Sequence, residues 1–291
     1  MSERPRVWLI TGCSSGLGLH LAKVAAGRGD RVLAASRNPE NATELAAQKN
    51  ITVVRLDHNE GLPKLQEAIK DIIAAHGPID IVVNNAAYVQ TGVVEEASEE
   101  ETFRQFQSNL FGPINLYRAV LPHLREKGQG TLVTIGSMAA WYAFNNTNLY
   151  NASKAALRMA VLGLAGEVEG FGIRHCLVEP GFFRTNLLKP GSNIAGTPPS
   201  TRLRAYDEIN AEAEEILKKF NGIQLGDPRK GAEIMFEVVT STGVAEGKAL
   251  PAFFPLGSDA SAEISKSAQN TLDAIEEWKA ISALSDFPEG E

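Results

Sequence analysis

Tyr150 and Lys154 stand four residues apart in the run Tyr150-Asn-Ala-Ser-Lys154. On a helix that spacing puts a phenol and an ammonium on one face, one turn apart. A free phenol has a pKa of roughly 10 and transfers protons poorly at neutral pH. A neighbouring cation favours the phenolate and lowers that value. The pair therefore reads as a general acid or base, Tyr150, tuned by Lys154. Such pairs occur on many helices, so its weight depends on what surrounds it.

A second candidate lies near the start of the chain, in Thr11-Gly12-Cys13-Ser14-Ser15-Gly16-Leu17-Gly18. Glycines let a backbone approach a pyrophosphate closely, and a helix N-terminus adds N–H donors and the positive end of a dipole. The turn sits between an apolar run and a helical pattern, which is the setting that gives a glycine-rich turn its dinucleotide-binding meaning. Its glycines do not follow G-x-G-x-x-G. At the end of the second apolar run, where an acid would hold the ribose 2′-hydroxyl of NAD, the chain has Ser36-Arg37-Asn38. Arg37 can make charge-assisted hydrogen bonds to a 2′-phosphate and Ser36 can add a donor, so NADP(H) is expected over NAD(H). Two further strand ends fit the same site: Asp57 and His58 beside the adenine, and Asn84-Asn85-Ala86-Ala87 bracing the adenosine side, with Asn84 and Ala86 as contacts. Alone, each is an ordinary turn or cap residue.

Positioning these groups requires strands alternating with helices. Apolar strands are expected at Val7–Ile10, Arg31–Ser36, Ile51–Leu56, Ile79–Val83, Thr131–Ile135, Ile173–Val178 and Ala249–Phe254. Helices are expected at Gly16–Arg28, Pro39–Lys49, Leu62–His76, about 99–124, from Tyr150 to about Phe171, near 204–220 and near 227–241. The pattern implies an α/β fold: a doubly wound parallel sheet of about seven strands with helices on both faces. In such sheets the ligand lies beyond the carboxyl ends of the strands, which nearly all the polar motifs follow. Residues 182–226, with Pro190, Gly191, Gly196, Pro198 and Pro199, break the rhythm and are expected to form a substrate lid. Residues 258–285 read as an amphipathic helical extension with Ile264, Ala268, Leu272, Ile275 and Ile281 in one stripe, packed on the domain or against another subunit. The 291 residues show no linker and no repeat, so one domain over 1–291 is expected.

Composition narrows the function classes. A net charge of −7 argues against nucleic acid as a partner. No apolar run is long enough to span a bilayer, and the polar start suggests no secretory leader, so a cytoplasmic address is expected. The two cysteines, Cys13 and Cys176, read as unpaired thiols, and the five histidines lack ligand spacing, so no metal is expected.

The glycine turn, Asn84-Asn-Ala, Asn109, Ser137, Tyr150-x-x-x-Lys154 and Pro180-Gly181-x-x-x-Thr185 together resemble the short-chain dehydrogenase/reductase family, in order and spacing, from about Arg6 to Thr185. Ala87 departs from it, where the family usually has glycine. Val178-Glu-Pro-Gly-Phe182 and the tail are nearest the steroid- and retinol-dehydrogenase-like branch. The resemblance implies that Tyr150 exchanges a proton with a carbonyl or alcohol oxygen as hydride passes to or from a nicotinamide. It implies that Ser137 holds that oxygen, that Lys154 binds the nicotinamide ribose and depresses the Tyr150 pKa, and that Asn109 holds a relay water. Pro180, Gly181, Phe183 and Thr185 would place the nicotinamide. Tyr88, Trp141, Tyr142 and Phe182 are the candidate substrate contacts, an aromatic wall suited to a hydrophobic ketone or secondary alcohol. The resemblance also implies a homodimer or homotetramer. Two rivals are a non-catalytic dinucleotide sensor and an isomerase or lyase on the same fold.

Overall fold

The structure is a computed structural model that describes residues 4–188 and 192–287. Its elements, in chain order, begin with β1 (Val7–Thr11), α1 (Gly16–Gly27), β2 (Arg31–Ser36), α2 (Thr43–Ala46), β3 (Ile51–Arg55), α3 (Leu62–His76), β4 (Ile81–Asn84) and β5 (Val89–Thr91). They continue with α4 (Glu99–Phe106), α5 (Gly112–Lys127), β6 (Gly130–Ile135), α6 (Asn148–Glu169), β7 (Ile173–Pro180) and β8 (Ile194–Gly196). The last are α7 (Asp207–Phe220), α8 (Pro228–Thr240), β9 (Phe253–Leu256) and α9 (Ser258–Ser282).

Seven strands form one parallel sheet in the order β3-β2-β1-β4-β6-β7-β9. Its central strands are buried on both faces because their residues are apolar and often β-branched, as in Val7-Trp-Leu-Ile-Thr11 and Ile81-Val-Val-Asn84. Alternate residues feed two cores. Leu9, Leu33, Val82 and Leu132 point toward one, with Leu65, Ile69, Leu116, Val120 and Leu157 from α3, α5 and α6. Trp8, Ile10, Val83 and Val133 point toward the other, with Leu21, Ala25, Met235 and Phe236 from α1 and α8. Trp8 stacks on Phe236 at 5.6 Å between ring centroids. The strand order reverses about β1 and β4, which opens a crevice beyond their carboxyl ends.

Several elements differ from the sequence expectation. The Pro39–Lys49 helix is replaced by a 3-10 turn at Pro39–Asn41 and the single turn of α2. Leu45 is the only buried residue of α2, too little apolar area to hold a longer helix on the sheet. The long helix near 99–124 is broken by a π turn at Gln107–Phe111 between α4 and α5. The last sheet strand starts at Phe253 rather than Ala249, because it pairs with β7 from Leu177 onward and follows Pro251. Pro255 within it is tolerated because β9 is an edge strand. A small parallel pair, β5 with β8, was not foreseen; it ties the loop after β4 to the 182–226 segment. Pro190 and Gly191 lie outside the described residues. α9 packs through its first three turns, by Ala260 and Ile264 and by a hydrogen bond from Ser267 Oγ to Trp141 O. Farther along, Leu272, Ile275, Trp278 and Ile281 are exposed, so the expected stripe meets the domain at Ile264 and leaves it beyond. Among the described residues no helix is long and apolar enough to cross a membrane.

Candidate active site

A cavity of about 1390 Å³ opens beyond the carboxyl ends of the strands, and most of the candidate residues line it. The glycine turn supplies Thr11, Gly12, Ser14, Ser15, Gly16 and Leu17. Ser36 and Arg37 stand at the end of β2, His58 after β3, and Ala86 and Tyr88 after β4. Ser137 and Tyr142 follow β6, Tyr150 and Lys154 come from α6, and Pro180, Gly181, Phe182, Phe183 and Thr185 follow β7. The 182–226 segment closes the outer side with Leu187, Ile216, Leu217, Phe220, Ile223 and Leu225. It leaves and returns at one neck, where Gly226 N donates to Phe182 O and Arg184 N to Gly226 O.

The turn at β1 is shaped for a close backbone approach. Gly12 has φ +67°, and a Cβ there would lie 2.8 Å from Ala86 Cα. Gly16 has φ +60° and faces the Thr185 side chain. Ser15 precedes α1 without a side-chain cap, which leaves the first N–H groups of the helix directed at the crevice. The cradle, the free helix N-terminus and Arg37 at the far end fit a dinucleotide along the cavity floor.

Five predicted contacts do not line the cavity. Gly18 is buried against Asn85, so its glycine serves helix packing. Asp57 turns back to accept from Asn59 N at 3.0 Å. Asn84 is buried and donates to Pro113 O. Its neighbour Asn85 does the bracing instead, donating from Nδ2 to Thr11 O at 2.9 Å and Gly12 O at 3.1 Å. Successive residues at a strand end face opposite ways, and motif reading alone does not say which faces the ligand. Trp141 is turned away from the cavity and donates to Glu179.

Asn109 is the fifth. It sits in the π turn, fully buried, and its amide is committed to protein. Oδ1 accepts from Tyr88 N, while Nδ2 donates to Tyr88 O and to Ser153 Oγ. Ser153 Oγ in turn donates to Tyr150 O at 2.7 Å. Asn109 thus ties the loop after β4 to the backbone that carries Tyr150.

The catalytic candidates do meet. Ser137, at the end of β6, stands close enough to the Tyr150 phenol to favour its ionised form, and both line the cavity. Lys154 is 3% exposed, donates from Nζ to Ile135 O at 2.8 Å, and lies 6.0 Å from the Tyr150 ring centroid. Burial pulls the Lys154 ammonium down to about 8, and the Glu179 carboxylate opposes that. The Tyr150 phenol is pushed above the ordinary range by burial, with the nearby Ser137 hydroxyl opposing. The expected depression by Lys154 is therefore not the net effect here: desolvation outweighs stabilisation of the phenolate. Tyr142 stands beside them, pushed up to about 12 by burial and by the nearby Glu263 carboxylate. Within the Asn84-Asn85-Ala86-Ala87 motif the sequence reading singles out Asn84 rather than Asn85, and it misses Glu179 and the α7 residues Ile216, Leu217 and Phe220. Asn85 carries a signal as a member of that motif; the α7 residues lie in a stretch whose sequence reads only as a charged helix. No group of three or more metal-ligating side chains occurs among the described residues.

Comparison with known proteins gives one family. Residues 6–193 match the model of the short chain dehydrogenase family. Oxidoreductase BOA17 of Botryotinia fuckeliana is 32% identical over 283 residues, 96% of this chain and 99% of that protein. A short-chain dehydrogenase from Streptomyces avermitilis superposes with a TM-score of 0.85 at 33% identity, over 98% of this chain and 100% of the other. A gluconate 5-dehydrogenase from Burkholderia cenocepacia, solved with NADP and tartrate, has a TM-score of 0.60 at 30% identity, over 63% of this chain and 74% of its own.

Proposed function

The chain belongs to the short-chain dehydrogenase family and is an oxidoreductase on a dinucleotide-binding fold, and from that premise we propose that it interconverts a hydrophobic ketone and its secondary alcohol with NADP(H). The observation that carries the proposal is the convergence of Ser137, Tyr150 and Lys154 on the same cavity that the glycine turn lines. The nicotinamide, when bound, supplies or accepts the hydride. In reduction Tyr150 donates its phenolic proton to the substrate oxygen; in oxidation it takes that proton back. Ser137 donates a hydrogen bond to the same oxygen and fixes its position. Lys154 holds the nicotinamide ribose and keeps a positive charge beside the phenol. Thr185 and the Pro180-Gly181 turn orient the ring, and Asp57 and Asn84 act behind the cofactor wall as packing residues.

Arg37, exposed at the end of β2 with no acid beside it, supports a preference for the 2′-phosphate. Phe182, Phe220, Ile223 and Leu225 on the outer side, with Tyr88 and Tyr142, support a bulky apolar substrate under a lid formed by 182–226. Exposed Phe103, Phe111 and Met159 on the α4–α5 and α6 side support a homodimer or homotetramer. Two free, buried thiols, Cys13 and Cys176, support a reducing, cytosolic setting.

The proposal is tested with Tyr150→Phe. NADPH-linked reduction of aromatic ketones disappears while NADPH binding, followed by its fluorescence, survives. Substantial remaining turnover would remove Tyr150 from its role.

A further inference from the structure

Glu179 is the penultimate residue of β7, directly before Pro180-Gly181, and is fully buried. A buried carboxylate is costly unless it is paired and hydrogen-bonded, so its partners show what holds it there. Oε2 accepts from Trp141 Nε1 at 2.5 Å and from Arg158 Nη1 at 3.2 Å. Trp141 ends the 3-10 turn that Ser137 begins. Arg158 lies on α6 one turn beyond Lys154, and its guanidinium stacks on the Trp141 ring at 4.0 Å. One carboxylate thus joins the segment carrying Ser137, the helix carrying Tyr150 and Lys154, and the strand end leading into Pro180-Gly181.

The second oxygen, Oε1, is buried and has no hydrogen-bond partner in the structure. It rests against Gly136, where a Cβ would come within 2.9 Å of Glu179 Cγ and 3.2 Å of Oε1. The carboxylate therefore presses on the backbone that presents Ser137. Apolar residues could fill such a space at no cost in stability; an ion pair at the junction of three catalytic segments does more than fill it. The charged groups of α6 that face it are Arg158 and Lys154.

We propose that Glu179 is a positioning residue, which with Arg158 and Trp141 fixes the Ser137 turn and the Tyr150–Lys154 helix against the Pro180-Gly181 turn. The proposal rests on the reading of Ser137 and Tyr150 as the hydride-transfer site. Trp141, expected on the substrate wall, is a strut of this junction.

The test uses the full chain with Glu179→Gln, which keeps the shape and removes the charge. NADPH-linked ketone reduction falls about tenfold to a hundredfold in kcat while the NADPH Kd is unchanged. Amide hydrogen exchange rises in residues 136–142 and 150–158 and stays at the wild-type level in β2. Unchanged kcat and exchange would overturn the proposal, as would a rise in exchange spread evenly over the sheet. If Glu179→Gln does not fold, Arg158→Met with Glu179→Leu, which removes both charges, decides: slow turnover at a near-wild-type melting temperature supports positioning, and wild-type turnover overturns it. A wild-type protein that binds NADPH but reduces no ketone would defeat the proposed function, and the exchange pattern would still judge Glu179.

Discussion

The two sides of the cavity are built differently. On the sheet side every catalytic candidate is held by buried polar contacts: Lys154 by Ile135 O, the Tyr150 backbone through Ser153 and Asn109, and the glycine turn by Asn85. On the outer side Ile223 is 67% and Leu225 77% exposed, and polar anchors are few. Glu96 accepts from Leu203 N and Asn210 Nδ2, Glu95 from the Tyr206 hydroxyl, and the β5–β8 pair adds a short ladder. A reaction that moves a proton and a hydride needs fixed groups, whereas a wall that admits apolar guests needs surface that can repack. On the proposed function, this contrast would put the chemistry in one wall and the selectivity in the other.

Substitutions on the two walls should therefore differ in kind. The largest effect is expected on the sheet side: Ser137→Ala, which removes one donor to the substrate oxygen, should lower kcat by about 10²–10³ with little change in NADPH affinity. A loss confined to KM, measured by steady-state kinetics, would place Ser137 outside the transition state. Next, Arg37→Asp should shift the ratio of kcat/KM for NADPH over NADH toward NADH by about ten- to a hundredfold. An unchanged ratio would refute the 2′-phosphate contact. On the outer side, Leu225→Ser and Glu96→Gln should raise KM for bulky ketones severalfold and leave kcat near wild type. A kcat loss matching that of Ser137→Ala would erase the distinction between the walls.

pH sharpens the same contrast. Because burial raises the Tyr150 pKa, ketone reduction, which needs the protonated phenol, should stay level through neutral pH and fall as pH climbs through the raised value. Alcohol oxidation, which needs the phenolate, should rise over that range. The smallest effect is on stability. His58 and His175 are buried and held down to about 4, against about 6.5 when unfolded. The unfolded chain takes up protons first on acidification, so the melting temperature should fall between roughly pH 6.5 and 4 and be level above that window. A melting temperature flat across the window would show that these histidines are not buried neutral.

The sheet was legible because its strands are short apolar runs that no solvent-facing element would contain, and because the polar motifs follow them. Tyr150 and Lys154 were legible from their helical spacing and Ser137 from the family resemblance, and the structure brings all three to one cavity. What escaped the sequence is orientation. Asn84 and Asn85 are chemically alike, and only the strand pleat decides which one clamps the glycine turn. Trp141 is aromatic on either side of its turn, and the buried Glu179 pulls it away from the cavity. The π turn at Gln107–Phe111 was hidden because the helical pattern runs through it, yet that turn aims Asn109 at Tyr88 and Ser153. The stripe of α9 was read correctly as apolar, but periodicity does not say what a stripe meets.

The central claim is that hydride passes between a nicotinamide and an apolar carbonyl inside this cavity. The most direct test is to incubate the enzyme with an aryl ketone panel and NADPH carrying deuterium at the transferable C4 position. Consumption of the cofactor and one deuterium on the carbinol carbon of the alcohol are expected. Product formed without label, or with no cofactor consumed, would contradict it.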